Sequence, residues 1–477
     1  MNSHGTRRPD TRFDPDTTYK AAVLGAGSGG LTLAIGLAGF GHDIALIEAD
    51  AVGGDCTNVG CVPSKALLHA ARAGLDDPFG HVRTLRDDLN GREDDEMVEH
   101  EQIHLVRGRG KLTTPDGDVH IVEVTTPDGD VVRVRAEHVA VSTGSAPVQF
   151  PIEGLDADRL LTNENLFEIA EVPARTVMVG GGPISLEMAT AFRDLGGVVH
   201  IVELADRVIG NDDPLVSSTI QAALEDRGVV FHIGTSIERV DGSTVHLGDG
   251  TTIDDVDKVL LAIGRRPRLE GLGLDDAGVE FTKRGIVADS WGRTNVDNIW
   301  AVGDVTGNTA TTHGANSIAR RTIRAIALPI PTVGGPRVQP NAVFSRPEIA
   351  SVGLSMDDLA AYPESGRRRY EVQLSDIDRG YTDDVAHGVV MVDVERFSGM
   401  ILRAAIVGPA AAELIGMFTL MIDHGIGLRK MFGQVHPYPS YAQAIGKLAD
   451  DFAGETYRSL PREWFGMVRA KVAKRFS

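Results

Sequence analysis

Two stretches of this chain are written to one plan. A-A-V-L-G-A-G-S-G-G-L-T-L-A-I-G-L-A-G-F-G-H-D-I-A-L-I-E runs from Ala21 to Glu48, and V-M-V-G-G-G-P-I-S-L-E-M-A-T-A-F-R-D-L-G-G-V-V-H-I-V-E runs from Val177 to Glu203. Each opens as a short apolar strand, turns on glycine, continues in a helical apolar pattern, and closes with a second strand ending in an acid. In the first, the helical pattern covers residues 31–38 and the second strand 44–47. This is a βαβ dinucleotide fingerprint met twice. The copies lie far enough apart for each to seed its own domain, so the expected fold is α/β with two Rossmann-like domains.

The rest of the chain fills in around them. With 477 residues, two to four domains are expected. Residues 103–142 read as β-hairpins, and T-T-P-D-G-D-V occurs there twice, at Thr113 and Thr125. Each copy sets Pro-Asp-Gly between alternating strands, a turn signal. Residues 76–101 read as an exposed acidic helix and loop. After about Gly335, alternation over 341–353 and 388–408 and a helical pattern over 410–424 predict a third, α+β domain. The tail over 457–477 is basic, and Trp464, Val468 and Val472 recur at helical spacing, as in an amphipathic helix packed on its own protein. Residues 1–17 read as a disordered leader lacking the apolar core of a secretory signal.

The glycines carry specific work. Gly25 permits the tight turn, Gly27 a close backbone approach to a pyrophosphate, and Gly30 close helix–strand packing. Ser28 sits inside this turn, and Glu48 is placed to accept from a ribose diol. In the second unit Gly180 and Gly182 are kept, while Ser185 holds the third position and is small enough for close packing. Glu203 suits a free 2′-hydroxyl and repels a 2′-phosphate, which favours NADH; Arg207, four residues on, keeps NADPH open.

The only two cysteines, Cys56 and Cys61, stand in G-G-D-C-T-N-V-G-C-V-P-S-K, directly after the first βαβ unit. Two cysteines make no secreted disulfide framework and are too few for a structural zinc site unless histidines join them. A C-x4-C pair beside a dinucleotide turn reads as a redox pair, with two buried structural thiols as the bland alternative. Two nucleotide sites and one thiol pair suggest an electron path from nicotinamide to flavin to disulfide. The reactive form is the thiolate, so a nearby base or positive field is required.

These residues resemble the class I pyridine nucleotide–disulfide oxidoreductases, in the branch of dihydrolipoamide dehydrogenase and mercuric reductase. The resemblance covers nearly the whole chain: V-S-T-G-S-A-P at 141–147, L-L-A-I-G-R-R-P at 260–267, N-I-W-A-V-G-D-V at 298–305 and N-A-V-F-S-R-P-E-I-A-S-V-G-L at 341–354 are similar to the family's further motifs. It implies FAD and NAD(P)H as cofactors and a homodimer. It also implies an FAD-binding domain over 1–152 and 285–335, an NAD(P)-binding domain over 153–284 and a dimerisation domain over 336–477. Cys56 would attack substrate and Cys61 would face the flavin. Lys65 would sit near flavin N5 and pair with Glu187. Asp304 would bind the ribityl chain, and Thr143, Gly144 and Ser145 would lie along the FAD. Gly180, Gly182, Ser185, Glu187, Glu203 and Gly264 would line the NAD(P) site.

One departure bears on substrate. Disulfide-reducing members carry a His-Pro motif with a glutamate five residues after the histidine, supplied by the other subunit. Here V-H-P-Y-P-S-Y-A-Q-A-I, aligned through Pro439, places Tyr438 and Gln443 at those positions. Either His436 has shifted into the role or Tyr438 occupies it. Histidine moves protons readily near neutral pH and an untuned tyrosine does so poorly. The expected enzyme therefore passes electrons from NAD(P)H through FAD and Cys56–Cys61 to a small acceptor. That acceptor is a disulfide, as in dihydrolipoamide dehydrogenase proper, or a metal ion or quinone, as a mercuric-reductase-like protein would reduce. A slow flavoprotein redox sensor is the reading of a different class, and the intact cysteine pair, Lys65 and Glu187 count against it.

A formal net charge of −20 sets the surface against nucleic acid and anionic lipid, and no apolar run is long enough to span a bilayer. A cytoplasmic protein acting on small molecules, with no resident metal, is expected.

Overall fold

The computed structural model describes residues 13–308, 311–328 and 337–458. The amphipathic tail with Trp464, Val468 and Val472 lies outside the described residues. The leader expected to be disordered through Thr17 is ordered from Phe13: its ring stacks on Tyr19, 6.0 Å between centroids, and Asp14 N–H donates to the Tyr19 hydroxyl.

The first βαβ unit forms as its pattern requires. β1 (Thr18–Leu24) runs into α1 (Ser28–Ala38) and returns as β2 (Ile44–Glu48), parallel to β1 with Ala21 opposite Ile44. Three helices follow: the single turn α2 (Gly54–Asn58), then α3 (Cys61–Ala73) and α4 (Pro78–Glu99). The expected hairpin region divides. Ile103–Arg107 joins β2 in parallel, whereas Arg109–Leu112 and His120–Thr125 form antiparallel hairpins leading to β3 (Val131–Val141). β3 is long enough to pair with the hairpin at one end and with β1 in parallel at the other. Both T-T-P-D-G-D-V copies sit in the turns between these strands.

The second copy repeats the geometry. β4 (Arg175–Val179), α5 (Pro183–Asp194) and β5 (Val198–Glu203) form a parallel unit with Val198 opposite Arg175. The sheet continues with Val230–Ile233 beyond β5, and with Lys258–Leu261 and Leu160–Leu161 on the other side.

The chain sorts into two units. The first is Met1–Gln149, Thr162–Glu171 and Gly264–Pro336; the second is Phe150–Leu161, Val172–Ile263 and Arg337–Ser477. The expected division placed residues 264–284 with the NAD(P)-binding domain. Residues 264–284 belong with the first glycine turn, because Leu272, Leu274, Ala277 and Val279 are buried in one core with Leu24, Val139 and Val141. The first unit is completed by α6 (Thr312–Ala327), whose Ile318 and Ile323 pack with Leu33 and Leu37 of α1.

The second unit holds both the NAD(P)-type sheet and the C-terminal α+β part. The C-terminal sheet is antiparallel, in the order 341–343, 348–353, 401–408, 389–395, 367–373. Arg403 pairs with Asp212 at 2.7 Å, both buried, and Arg369 pairs at 2.7 Å with both Asp213 and Asp393. Buried charges are tolerated only when paired in this way. The short helix α7 (Asp378–Thr382) and the last described helix, α8 (Gln443–Arg458), flank the loop that carries His436 and Tyr438.

Candidate active site

In the first unit the glycine turn is built for a phosphate. Gly25 has φ +101°, and a Cβ there would lie 2.4 Å from the Ser142 carbonyl oxygen. A Cβ at Gly30 would strike the Gly25 carbonyl oxygen. Gly27 differs: a Cβ there would meet only Gly54 Cα at 3.8 Å, so the space above it is open. Gly27 is the N-cap of α1, no side chain caps that end, and its first turn holds no acid. A bare helix N-terminus beside open space fits a pyrophosphate. Glu48 fixes the turn by accepting from Ala26 N–H and Asp50 N–H, both at 2.7 Å. Burial raises the Glu48 carboxyl, and these two hydrogen bonds oppose the rise.

The redox loop is fastened to this turn. Gly53 N–H donates to the Ala26 carbonyl at 2.8 Å, and a Cβ on Gly54 would lie 2.7 Å from Gly27 Cα. Gly53 (φ +90°) and Gly54 (φ +58°) are the residues that permit so close a crossing. α2 then carries Cys56, and Cys61 opens α3. Both are thiols, Cys56 half-buried and Cys61 exposed. The Cys56 thiol is pushed far up, first by its hydrogen bond to Cys61, then by burial and the Cys61 charge; hydroxyls of Thr312 and Ser28 pull it the other way. Thr312 Oγ1 lies 3.2 Å from Cys56 Sγ and 3.5 Å from Cys61 Sγ. Lys65, one turn into α3, donates to Ser64 Oγ at 3.3 Å.

A polar network adjoins the pair. Arg265 pairs with Asp55 and donates from Nε to Ser145 Oγ at 2.8 Å; Ser145 Oγ donates to Asp304 Oδ2 at 2.7 Å. Burial raises the Asp304 carboxyl, while Ser145 and Arg265 lower it. Thr143 Oγ1 donates to the Arg268 carbonyl at 3.0 Å, and Gly144 (φ +69°) has nothing within 4 Å of a built Cβ. Thus Thr143, Gly144, Ser145 and Asp304 do gather with the glycine turn in one unit. The sequence reading missed Thr312, Asp55 and Arg265. Asp55 and Arg265 lay inside quoted motifs, and their opposite charges were the available signal. Thr312 lay in no motif.

The second turn is equivalent in the other unit. Gly180 (φ +99°) passes under Ala262, Gly182 is the uncapped N-cap of α5, and Ser185 is fully buried with its Oγ unpartnered among the described residues. Glu203 accepts from Gly181 N–H and, at 2.7 Å, from Ala205 N–H. Arg207 donates to the Gly210 carbonyl at 2.8 Å. Glu187 is buried and accepts from Phe344 N–H at 2.9 Å. Gly264 falls in the first unit, where its carbonyl accepts from Val148 N–H at 3.0 Å.

The C-terminal loop resolves into distinct environments. Tyr438 is 71% exposed and its hydroxyl donates to Asp378 Oδ2 of α7 at 2.7 Å. That hydrogen bond, then the carboxylate's charge, raises the phenol. Tyr441 donates likewise to Asp383 at 2.7 Å. Gln443 Oε1 accepts from Ser440 N–H at 3.4 Å. His436 Nε2 is buried with no hydrogen-bond partner among the described residues, against Gly446 of α8. The exposed group of this loop is therefore Tyr438, not His436.

The family model described as pyridine nucleotide-disulphide oxidoreductase matches residues 19–319, and its dimerisation domain matches 339–449. A dihydrolipoyl dehydrogenase from Halobacterium salinarum is 32% identical, covering 94% of this chain and 99% of its own. Among solved structures, the Cu(II) complex of the HOCl-induced flavoprotein disulfide reductase RclA from Escherichia coli superposes with a TM-score of 0.83 at 26% identity, covering 91% of this chain and 99% of its own. LpdA from Mycobacterium tuberculosis gives 0.82 at 25% identity, with the same coverage of both chains.

Proposed function

The chain belongs to the pyridine nucleotide–disulfide oxidoreductase family, and on that premise we propose that Cys56 and Cys61 hand electrons from NAD(P)H to a small acceptor other than a lipoyl group. The protein is an FAD- and NAD(P)H-dependent oxidoreductase with a dimerisation domain. Bound FAD supplies the centre that takes a hydride from nicotinamide and passes an electron pair on. No helix among the described residues is long and apolar enough to cross a membrane.

The chain's own residues then have these parts. Gly25, Gly27, Gly30 and the N-terminus of α1 hold the pyrophosphate of FAD, with Glu48, Thr143, Gly144, Ser145 and Asp304 along its length. Gly180, Gly182, Ser185 and Glu203 hold the nicotinamide dinucleotide, and Glu203 favours a free 2′-hydroxyl. Cys61 faces the flavin and Cys56 attacks the acceptor. Lys65, on the same helix as Cys61, supplies positive charge. A homodimer completes the site, each copy offering its Tyr438 loop to the cysteines of the other.

The observation that carries the choice of acceptor is the Tyr438–Asp378 hydrogen bond. A phenol raised by a neighbouring carboxylate stays protonated near neutral pH, so it serves as a donor and not as a base. Oxidising dihydrolipoamide needs a base for the substrate thiol; reducing a metal ion or a quinone does not. The Cu(II) complex of the Escherichia coli relative supports a transition-metal cation as one candidate.

The deciding experiment is anaerobic titration of the FAD-loaded protein with NADH, and separately NADPH, followed by an acceptor screen. A long-wavelength absorption band that appears after two electrons and is lost in Cys61→Ser supports the relay. Direct bleaching without the band would remove the cysteines from the path and leave a simple flavin reductase or sensor. Fast dihydrolipoamide turnover that dies in His436→Ala and survives Tyr438→Phe would overturn the acceptor assignment.

A further inference from the structure

We propose that Thr312 is a catalytic residue of the reduced cysteine pair, its hydroxyl acting as one hydrogen-bond donor that follows the negative charge from sulfur to sulfur. The inference rests on the reading that Cys56 and Cys61 cycle between disulfide and dithiol.

The geometry is that of one oxygen between two sulfurs. Thr312 Oγ1 is 3.2 Å from Cys56 Sγ and 3.5 Å from Cys61 Sγ. Both are within hydrogen-bond reach for sulfur, and a hydroxyl offers one hydrogen and two acceptor lone pairs. The oxygen is also held in place. Thr312 is the first residue of the 16-residue α6, whose N-cap Thr311 accepts from Gly314 N–H at 3.2 Å. Ser28, at the start of α1, is the contrast, because its hydroxyl lowers the Cys56 thiol without a bond shared with Cys61.

The electron and proton count shows why a shared donor matters. Two-electron reduction of the disulfide by a hydride equivalent breaks the S–S bond, forms one S–H and leaves one thiolate. The pair then holds one proton and one negative charge, and at the half-buried Cys56 an unpaired charge is costly. When Cys61 carries the charge, the Thr312 hydroxyl donates to it. When the charge passes to Cys56 for attack on the acceptor, the proton of Cys56 moves to Cys61 and the hydroxyl turns to donate to Cys56. Its oxygen meanwhile accepts from whichever sulfur is protonated. No atom leaves the pair and no outside base is required. That suits a chain in which Tyr438 and Gln443 replace a histidine and a glutamate.

The test uses FAD-loaded wild type, Thr312→Val, Thr312→Ser and Ser28→Ala, reduced with dithiothreitol and desalted anaerobically. Each is alkylated with iodoacetamide between pH 5 and 9, and modification at Cys56 and Cys61 is counted separately by mass spectrometry. Thr312→Val is expected to raise the pH midpoint at both cysteines by about one unit, a roughly tenfold slower reaction at neutral pH. Thr312→Ser restores both midpoints, and Ser28→Ala moves Cys56 alone. Unchanged midpoints in Thr312→Val, or a shift confined to one sulfur, would overturn the proposal. Thr312→Ala replaces Thr312→Val if the latter does not retain flavin. Because the reductant is chemical, the result stands apart from the nucleotide reading: failure of NADH to reduce the pair, with a normal Thr312 profile, would sink that reading alone.

Discussion

Glu48 and Glu203 perform the same act in the two units. Each ends the second strand of its βαβ unit and turns its carboxylate back onto the backbone N–H groups of its own glycine turn and of the residue two positions further along the chain. The acid at the end of the fingerprint therefore shapes the turn. Where a dinucleotide binds as proposed, its charge would also discriminate between nucleotides, because a 2′-phosphate would approach it.

Glu203→Ala should narrow the preference for NADH over NADPH by about tenfold, mostly by improving NADPH. The ratio of kcat/KM values for the two nucleotides measures it. An unchanged ratio would assign Glu203 to the turn alone.

Replacing either cysteine should stop acceptor reduction, but in different ways. Cys56→Ser is expected to lose at least about a hundredfold in turnover while keeping the long-wavelength band. Cys61→Ser should lose both. Steady-state rates together with anaerobic spectra separate the two.

The double substitution Tyr438→His with Gln443→Glu should raise kcat/KM for dihydrolipoamide by at least about tenfold. Tyr438 is exposed and, among the described residues, is tied by its hydroxyl to Asp378 alone, so folding stability should barely change. A rate as low as the parent's would show that more than these two positions excludes lipoyl substrates.

Asp212→Ala should cost about 3–5 kcal/mol, because it strands the buried Arg403. Among the described residues Arg403 then keeps its bond from Nη1 to the Leu354 carbonyl. Urea unfolding followed by far-UV circular dichroism gives the value.

His200 and His232 predict how stability falls in acid. They lie on adjacent strands with Nδ1 and Nε2 3.1 Å apart and stacked rings. Burial, then the charge of His232, pushes His200 down to about 4, and burial lowers His232. The unfolded chain takes up protons below about pH 6.5. The folded chain resists until about pH 4 at His200, so stability present above pH 6.5 is lost as pH falls through that window. Tm should drop by about 5 °C between pH 7 and 5, and less in His200→Gln, as differential scanning calorimetry would read.

Much of this was legible because it is local. Strand, turn, helix, strand and acid fall within one short window, and so do the two cysteines and their glycines. What escaped was long in sequence and bare of pattern. Thr312 meets Cys56 across 256 residues, and Arg265 meets Asp55 across 210. Neither contact leaves a period or a spacing to read. The grouping of residues 264–284 with the first unit left no such mark, because Leu272, Leu274, Ala277 and Val279 are buried from turns rather than from a strand. The same limit hid the difference between His436 and Tyr438: two adjacent candidates look equal in sequence, and only burial tells them apart.

The crossing of Gly53 and Gly54 over Ala26 and Gly27 has a consequence for anyone who would transplant this chemistry. The cysteine loop is not an accessory clipped onto a nucleotide fold; it shares backbone with the phosphate turn at van der Waals distance. A graft of C-x4-C into another Rossmann scaffold would have to carry both glycine pairs as one piece. A single added methyl at Gly54 would separate the loop from its anchor, leaving two cysteines with correct spacing and no shared address.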